Sequence, residues 1–424
     1  MASSYYLSID YHGDQISRFS DFIDLQSYRE VNGIGFISFS LSADHLAVSN
    51  IEHLTKISLW RKDTSVPWYL ENFGFVLSRK WSHHLTYGNI LTCIAVHPNW
   101  ILSTRHVAWK AGTVNRSKFT AQKVETIAKT LVLYNATGVA TVANGRIRDG
   151  SYVAWGMNVE ADGAHGPTID YYCAYYNLLE TLQKLSVIGV GDFDMVSYVA
   201  GYEFRWYDGQ LGTDRTTTTL FAVERGNMAN PVYALDNRAE QTIALVGGQG
   251  EGAARNVVVR QGSGYSITND IEHFLYATHI VTTAGLQSEG DRYLLNHKAI
   301  NSLSFDVLQT FSTQYGLHYF LGDKVTIRNP YTLVDAIAKV TSVSISLRPY
   351  EPDSIKISLS DNPSPPSYPI YPDDPNTPIP PPPIPIPIPS PSGPCVRLWG
   401  RLPGPPPYSY GWLEPPPPCW LDNL

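Results

Sequence analysis

The chain has 424 residues and a formal net charge of −7. Only 16% of its residues are charged, 12% are aromatic, and 27 are tyrosines, whereas typical soluble proteins carry about 25% charged residues. This balance argues against a general nucleic-acid binder, which would show a basic face, and favours sheets and protein–protein surfaces over a free cytosolic enzyme.

The first hundred residues read as strands. Tyr5-Tyr6-Leu7-Ser8-Ile9-Asp10-Tyr11 alternates and stops at His12-Gly13-Asp14, a turn signal. Phe19 to Leu25, Gly35 to Leu41, Lys56 to Trp60, Asn72 to Leu77 and Gly88 to Val96 follow the same pattern. Short strands at this spacing predict a small sandwich or barrel. Val124, Ile127, Ala128, Leu131 and Val132 repeat at helical spacing and predict a helix over Ala121 to Tyr134, with Thr120 able to cap it. A second helix is expected from Tyr175 to Val187, its stripe of Leu178, Leu179, Leu182 and Leu185 serving as core. Strands are then expected at Glu203 to Tyr207, Thr218 to Val223 and Gln241 to Val246, and a third helix at Glu289 to Lys298. The segment from Ala299 to Ser360 is strand-rich again, with Asp323 to Ile327, Ala338 to Leu347 and Ser354 to Leu359.

The last 62 residues differ from everything before them. They hold 24 of the 31 prolines. A run such as Pro380 to Pro389 fixes φ and lacks backbone donors, so it predicts an extended polyproline II arm that needs a partner to hold it. Trp399, Tyr408, Tyr410, Trp412 and Trp420 lie between its proline runs and are candidate interface residues. Cys395 and Cys419 both lie in this arm, as a bridge or as two thiols.

Catalytic and ligand motifs are sparse. Gly247-Gly248-Gln249-Gly250-Glu251-Gly252 lacks the lysine and hydroxyl residue of a P-loop and reads as a turn, with Gly248, Gly250 and Gly252 as backbone-conformation positions. Asp192 and Asp194 would share one face of a strand, as a metal site requires, but no third ligand is near in sequence, and a polar loop is the favoured reading. The histidines His83, His84, His97, His106 and His165 show no zinc spacing and read as satisfied or surface residues. No nucleophile elbow is present. No cofactor, metal ligand or catalytic residue is therefore assigned. Arg215 and Arg255 are candidates for carboxylate pairing across a subunit or domain contact, or are plain surface arginines. No apolar stretch approaches the ~18–20 residues of a membrane span, and no signal peptide is visible at the N-terminus.

Taken in order, several segments resemble the tail-hub (baseplate hub) proteins of long-tailed bacteriophages, in particular the siphovirus "Gp37-like" tail domain family. They are Arg29-Glu30-Val31-Asn32-Gly33-Ile34-Gly35, Phe73-Gly74-Phe75-Val76, Arg105 ahead of a helix at Gln122 to Leu131, Asn177 to Leu182, Gly212-Thr213-Asp214-Arg215, Val223 to Asn227, Gly248 to Arg255, and Tyr319 to Ile327. The resemblance covers residues 5–360 and leaves the proline arm outside. It implies a β-rich α+β fold. A tail-tube-like β-barrel domain would span residues 1–105, a mixed hub domain 106–265, and a second tube-like β domain 266–362, ahead of the arm at 363–424. It further implies a homotrimeric ring at the distal tail tip of the virion, assembled in the host cytoplasm. Its partners would be the distal tail protein, the tape-measure protein and tail-tip or fibre proteins, with DNA passing through the lumen without sequence-specific binding. Under it, Arg215 and Arg255 are expected in interface ion pairs. A tail-associated cell-wall hydrolase and a host-surface adhesion module are the alternatives.

Overall fold

A computed structural model of the protein describes residues 3–11, 14–63, 66–109, 117–150, 156–198, 201–278, 280, 282–328, 330–331, 335–348 and 353–360. The proline arm, with Trp399, Tyr408, Tyr410, Trp412, Trp420, Cys395 and Cys419, lies outside the described residues.

The N-terminal strands are β1 (Ser4–Tyr11), β2 (Asp14–Phe19), β3 (Asp24–Glu30), β4 (Phe36–Ser42), β5 (Lys56–Asp63), β6 (Val66–His84) and β7 (Gly88–Val96). Phe19 to Leu25, expected as one strand, is instead the end of β2, a connection, and the start of β3. The middle begins with the short helix α1 (Asn99–Ser103) and runs through β8 (Ser117–Lys123), α2 (Val124–Ala136), β9 (Met157–Val159), β10 (Thr168–Cys173) and α3 (Leu178–Gly189). It continues with the hairpin of β11 (Gly191–Tyr198) and β12 (Gly201–Asp208). The C-terminal part holds β13 (Leu220–Phe221), β14 (Met228–Asp236), β15 (Ile243–Gly247), β16 (Val257–Gln261), β17 (Glu272–Tyr276), α4 (Thr283–Asn296), β18 (Ile300–Val307), β19 (Lys324–Arg328), β20 (Asp335–Leu347) and β21 (Ser354–Ser360).

The helices form where the apolar stripes demanded them, with shifted ends. The first starts at Val124 rather than Ala121 because Ser117–Lys123 pairs with β10 as a strand. The buried stripe is the expected one: Val124, Ile127, Ala128, Leu131 and Val132. The second starts at Leu178 because the Asn177 side chain accepts from the amides of Leu179 and Glu180 at 3.0 and 3.3 Å. The third is longer than expected and starts at Thr283, where the Thr282 hydroxyl accepts from the Gly285 amide. Gly285 and Gly290, poor helix formers, masked that first half in the sequence. The expected strand at Thr218 to Val223 shrinks to two residues, since the amides of Thr218 and Thr219 turn back onto the Arg215 carbonyl.

The two strand-rich ends share one sheet. Its order is β14-β18-β21-β20-β3-β4-β7-β6-β5-β1-β2, with β19 pairing β20 and β13 pairing β19. The join between the ends is antiparallel pairing of β20 with β3, from Ser342 opposite Glu30 to Leu347 opposite Leu25. Among the described residues this sheet is open, with β2 and β14 at its edges. One hydrophobic cluster runs through both ends, from Leu7, Ile9 and Phe39 to Val343, Ile357 and Leu359. A second cluster fills the middle, where α2 and α3 cover the sheet β11-β12-β9.

Residues 237–299 form an insertion. The strands on either side of it are neighbours, with Asp236 opposite Ile300. Inside it, β16-β15-β17 make a three-stranded sheet packed on α4, with a small core of Ala244, Val246, Ala277, Leu286 and Leu294. Position 265, expected as a domain boundary, falls between β16 and β17 of this sheet.

Candidate functional site

Asp192 and Asp194 do not lie in a polar loop. They sit on β11, buried, and they tie all three parts of the folded chain together. Strand alternation puts them on one face, and that face turns inward. Asp192 receives the Lys339 ammonium of β20, the Leu211 amide at 2.6 Å and the Asn32 side-chain amide at 3.0 Å. Asp194 receives Arg29 of β3 at 3.0 Å and the side-chain amide of Asn99, on α1, at 3.2 Å. Each buried carboxylate thus has a cation and at least one neutral donor, the condition under which burying a charge is tolerable. A metal-site reading loses its basis: protein cations already neutralise both carboxylates. Among the described residues no group of three or more His, Cys, Asp or Glu side chains gathers as metal ligands.

Asn32 and Asn99 act as substitutes for a neighbouring strand. Among the described residues β11 pairs with β12 alone, so half its backbone donors face away from that partner. The Phe193 amide donates to Asn32 Oδ1 at 2.7 Å, and the Met195 amide donates to Asn99 Oδ1 at 3.1 Å. Asn99 also donates to the Gly33 carbonyl at 2.7 Å. Asn32 holds φ at 57°, a left-handed conformation that asparagine tolerates better than most residues. This gives the Arg29-to-Gly35 segment, singled out in the sequence, a physical role: it is the clamp on the end of β3.

A second buried chain of polar groups runs beside the first. Arg61, fully buried, donates to the hydroxyls of Tyr5 and Tyr69, each at 3.0 Å, and to the Tyr315 carbonyl at 2.7 Å. The Tyr315 hydroxyl donates to Glu71 Oε1 at 2.7 Å, and the Glu71 carbonyl accepts from Arg29 at 3.1 Å. Burial pushes the Tyr5, Tyr69 and Tyr315 hydroxyls up, so they remain donors at every working pH. Burial strongly perturbs His97. Desolvation pulls it down to about 4, against the pull of Asp194, and it is neutral near pH 7. Its Nδ1 accepts from the Asn99 amide, while its buried Nε2 has no hydrogen-bond partner. It is therefore neither a satisfied nor a surface histidine.

Arg215 donates to Asp323 at 2.7 Å, and Asp323, buried, also accepts from the amides of Thr213 and Phe320. The pair is within one chain and links the end of the middle part to the strand-rich C-terminal part. Arg255 donates to the Gly250 carbonyl at 2.9 Å and stands over the Tyr276 ring. Gly250 has φ of +102° and Gly252 of +52°, while a Cβ at Gly248 would lie 2.9 Å from Leu286. The glycine segment is the turn leaving β15. Sequence reasoning missed Arg61, Glu71, Asn99, Tyr315 and Lys339, and it named Arg29 only as part of a family-like segment. They lie in strands, a turn and the helix α1 with no local signature, and most of their partners are far away in the chain.

With that geometry in view, the chain can be set beside known proteins. The family model described as siphovirus ReqiPepy6 Gp37-like protein matches residues 10–359. No curated protein matches. Among solved structures, the tail protein from Neisseria meningitidis MC58 superposes with a TM-score of 0.54 at 10% identity, covering 85% of this chain and 97% of that one. The 43 kDa tail protein of prophage MuSo2 from Shewanella oneidensis gives 0.54 at 12% identity, covering 84% and 97%. Prophage tail protein gp18 from Listeria monocytogenes EGD-e gives 0.51 at 11% identity, covering 85% and 94%. At these identities the likeness is one of fold.

Proposed function

Since this chain belongs to the family of siphovirus ReqiPepy6 Gp37-like proteins and is a phage tail structural protein, we propose that it is the tail hub. In this reading three copies form a ring at the distal end of the tail tube of the virion. The ring holds the distal tail protein on one side and tip or fibre proteins on the other, and its lumen is the DNA exit path. The observation that carries the reading is the extent of the match: the family spans residues 10–359, and the fold accounts for 97% of two tail proteins.

Two features of the molecule support it. The large sheet ends on β2 and β14, strand edges without a neighbour among the described residues, which suits edge-to-edge joining of copies. The far end of β6 and its turn into β7 carry Trp81, Leu85 and Tyr87 into solvent, an apolar surface that suits cover by a neighbour. A division into two tube-like parts flanking a mixed middle is part of the same proposal, with the parts joined through β3 and β20 and the second boundary placed outside the 237–299 insertion rather than at 265. Net negative charge suits a DNA conduit, because like charge keeps DNA off the wall.

Electron microscopy and light scattering of the purified protein test the reading. Threefold rings, alone or on addition of the distal tail protein, are expected; a protein that stays monomeric in both conditions overturns it. A cell-wall clearing assay tests the hydrolase alternative, and no clearing is expected.

A further inference from the structure

Arg146, in the connection between α2 and β9, is buried with its charge uncompensated. It is 6% exposed, and its buried Nε has no hydrogen-bond partner. Its Nη1 donates to the Arg148 carbonyl at 3.0 Å, a neutral acceptor. Asp149, the nearest carboxylate in sequence, is spent on the Val142 amide at 2.8 Å. Among the described residues no carboxylate forms an ion pair with Arg146. Burial and the charges of Arg105 and Arg148 all disfavour its cationic form.

The backbone around it is firmly tied. The Arg146 amide donates to the Thr141 carbonyl at 3.1 Å, the Ile147 amide to Ala108 at 3.1 Å and the Gly150 amide to Ala140 at 2.9 Å. Arg105 arrives from the end of α1, and its carbonyl accepts from the Leu178 amide of α3 at 2.8 Å. The two guanidinium groups meet beside Gly150: a Cβ there would collide with Arg146 Nη1 and lie 3.3 Å from Arg105 Nη1. Arg105 is buried too, while Arg148 is exposed. The segments nearest the pair in sequence, 110–116 and 151–155, contain no aspartate or glutamate. A buried cation is tolerated when opposite charge compensates it, and two side by side add repulsion to the cost of desolvation.

We propose that Arg146, Arg105 and Arg148 form a binding site for a phosphate group. The planar fork of a guanidinium matches two oxygens of a phosphate. A phosphate monoester carries a charge of about −1.5 to −2, enough to offset the two buried arginines, where one carboxylate would offset only one. Gly150 keeps clear the space beside both forks that a side chain would fill. The exposed Arg148 stands on the solvent side, where its charge attracts the anion.

The test uses the full-length protein and inorganic phosphate, read by calorimetric titration and by melting temperature at an ionic strength held constant with sodium chloride. Phosphate should bind, and Arg146→Met should weaken it about tenfold or more, as for loss of a charge-assisted hydrogen bond. Without phosphate, Arg146→Met should melt no lower than the unchanged protein, because it removes an uncompensated buried charge. With phosphate the unchanged protein should melt higher than the variant. An arginine that serves packing alone would make the variant melt lower in both conditions, and that result overturns the proposal. Gly150→Ala keeps all three charges and pushes a methyl group against the Arg146 guanidinium, so it should weaken phosphate binding as well. Glycerol 3-phosphate separates the sources: if both ligands bind, the site takes the phosphate end of a larger molecule, and if inorganic phosphate alone binds, it takes the free ion. No binding of either, binding unaffected by both variants, or tighter binding of succinate than of phosphate each overturn the proposal.

Discussion

The junction around Asp192 and Asp194 and the insertion at 237–299 are opposite solutions to holding a strand in place. At the junction the strand β11 is gripped by buried charge and by asparagine side chains from elements more than 90 residues away in the chain. In the insertion the strand β15 is held by two local neighbours and one helix, over a core of five buried residues among those described. The first is costly to disturb and couples the whole folded part. The second is cheap to disturb and should fail locally. Long-range polar clamps give a unit that unfolds as one; a shallow local core gives a subunit of structure at the low-stability end.

The sharpest way to break this contrast is Asp192→Ala. It leaves the Lys339 ammonium buried without its carboxylate, together with the Leu211 amide and the Asn32 side-chain amide. Chemical denaturation should show a loss of about 3–5 kcal/mol for the main transition; a loss below about 1 kcal/mol would mean the junction is not a clamp. Next in size is Leu286→Ala in α4, which empties part of the insertion core and should cost about 3 kcal/mol. Hydrogen exchange should place that loss in β15, β16 and β17 while amides of β3 and β20 keep their protection. Loss of protection in β3 would erase the distinction between the two regions.

The pH response sharpens the comparison on the junction side. His97 is held neutral in the fold, down to about 4 from the ordinary 6.5, with Asp194 and Arg29 facing it. The unfolded chain therefore binds a proton that the folded chain refuses, so stability is full above about pH 6.5 and is lost progressively as pH falls toward about 4. In His97→Phe that slope, on the order of 2–3 kcal/mol over the window, should flatten in melting curves taken from pH 7 to 4. An unchanged slope would assign the acid sensitivity elsewhere. The smallest effect belongs to the insertion: Arg260→Ala removes a surface pair with Asp291 and should leave the denaturation midpoint almost unchanged, and wholly so at high salt.

Much of the local structure was legible in the chain. Alternation in β4, β7 and β20 and the leucine stripe of α3 each state which side chains go inside, because period 2 and period 3.6 are local properties. The order of the family-like segments was legible too. The candidate site was much less so. Asp192 and Asp194 were visible as a pair, and their reading as a loop followed from having no third ligand nearby in sequence, whereas their partners Arg29, Asn32, Asn99 and Lys339 come from β3, its following turn, α1 and β20. No spacing rule brings positions 29, 99, 192 and 339 together.

By itself, then, the sequence determined the strand and helix periods, the low charge, the break at the proline arm and the family. The tertiary structure alone decided that the first and last strands share one sheet, that residues 237–299 stand apart as an insertion, and that two aspartates are buried. Local sequence sets which conformations a segment prefers. Which distant segment satisfies a strand's free edge, or neutralises a buried carboxylate, is settled only when the chain has closed and every buried polar group must find a partner.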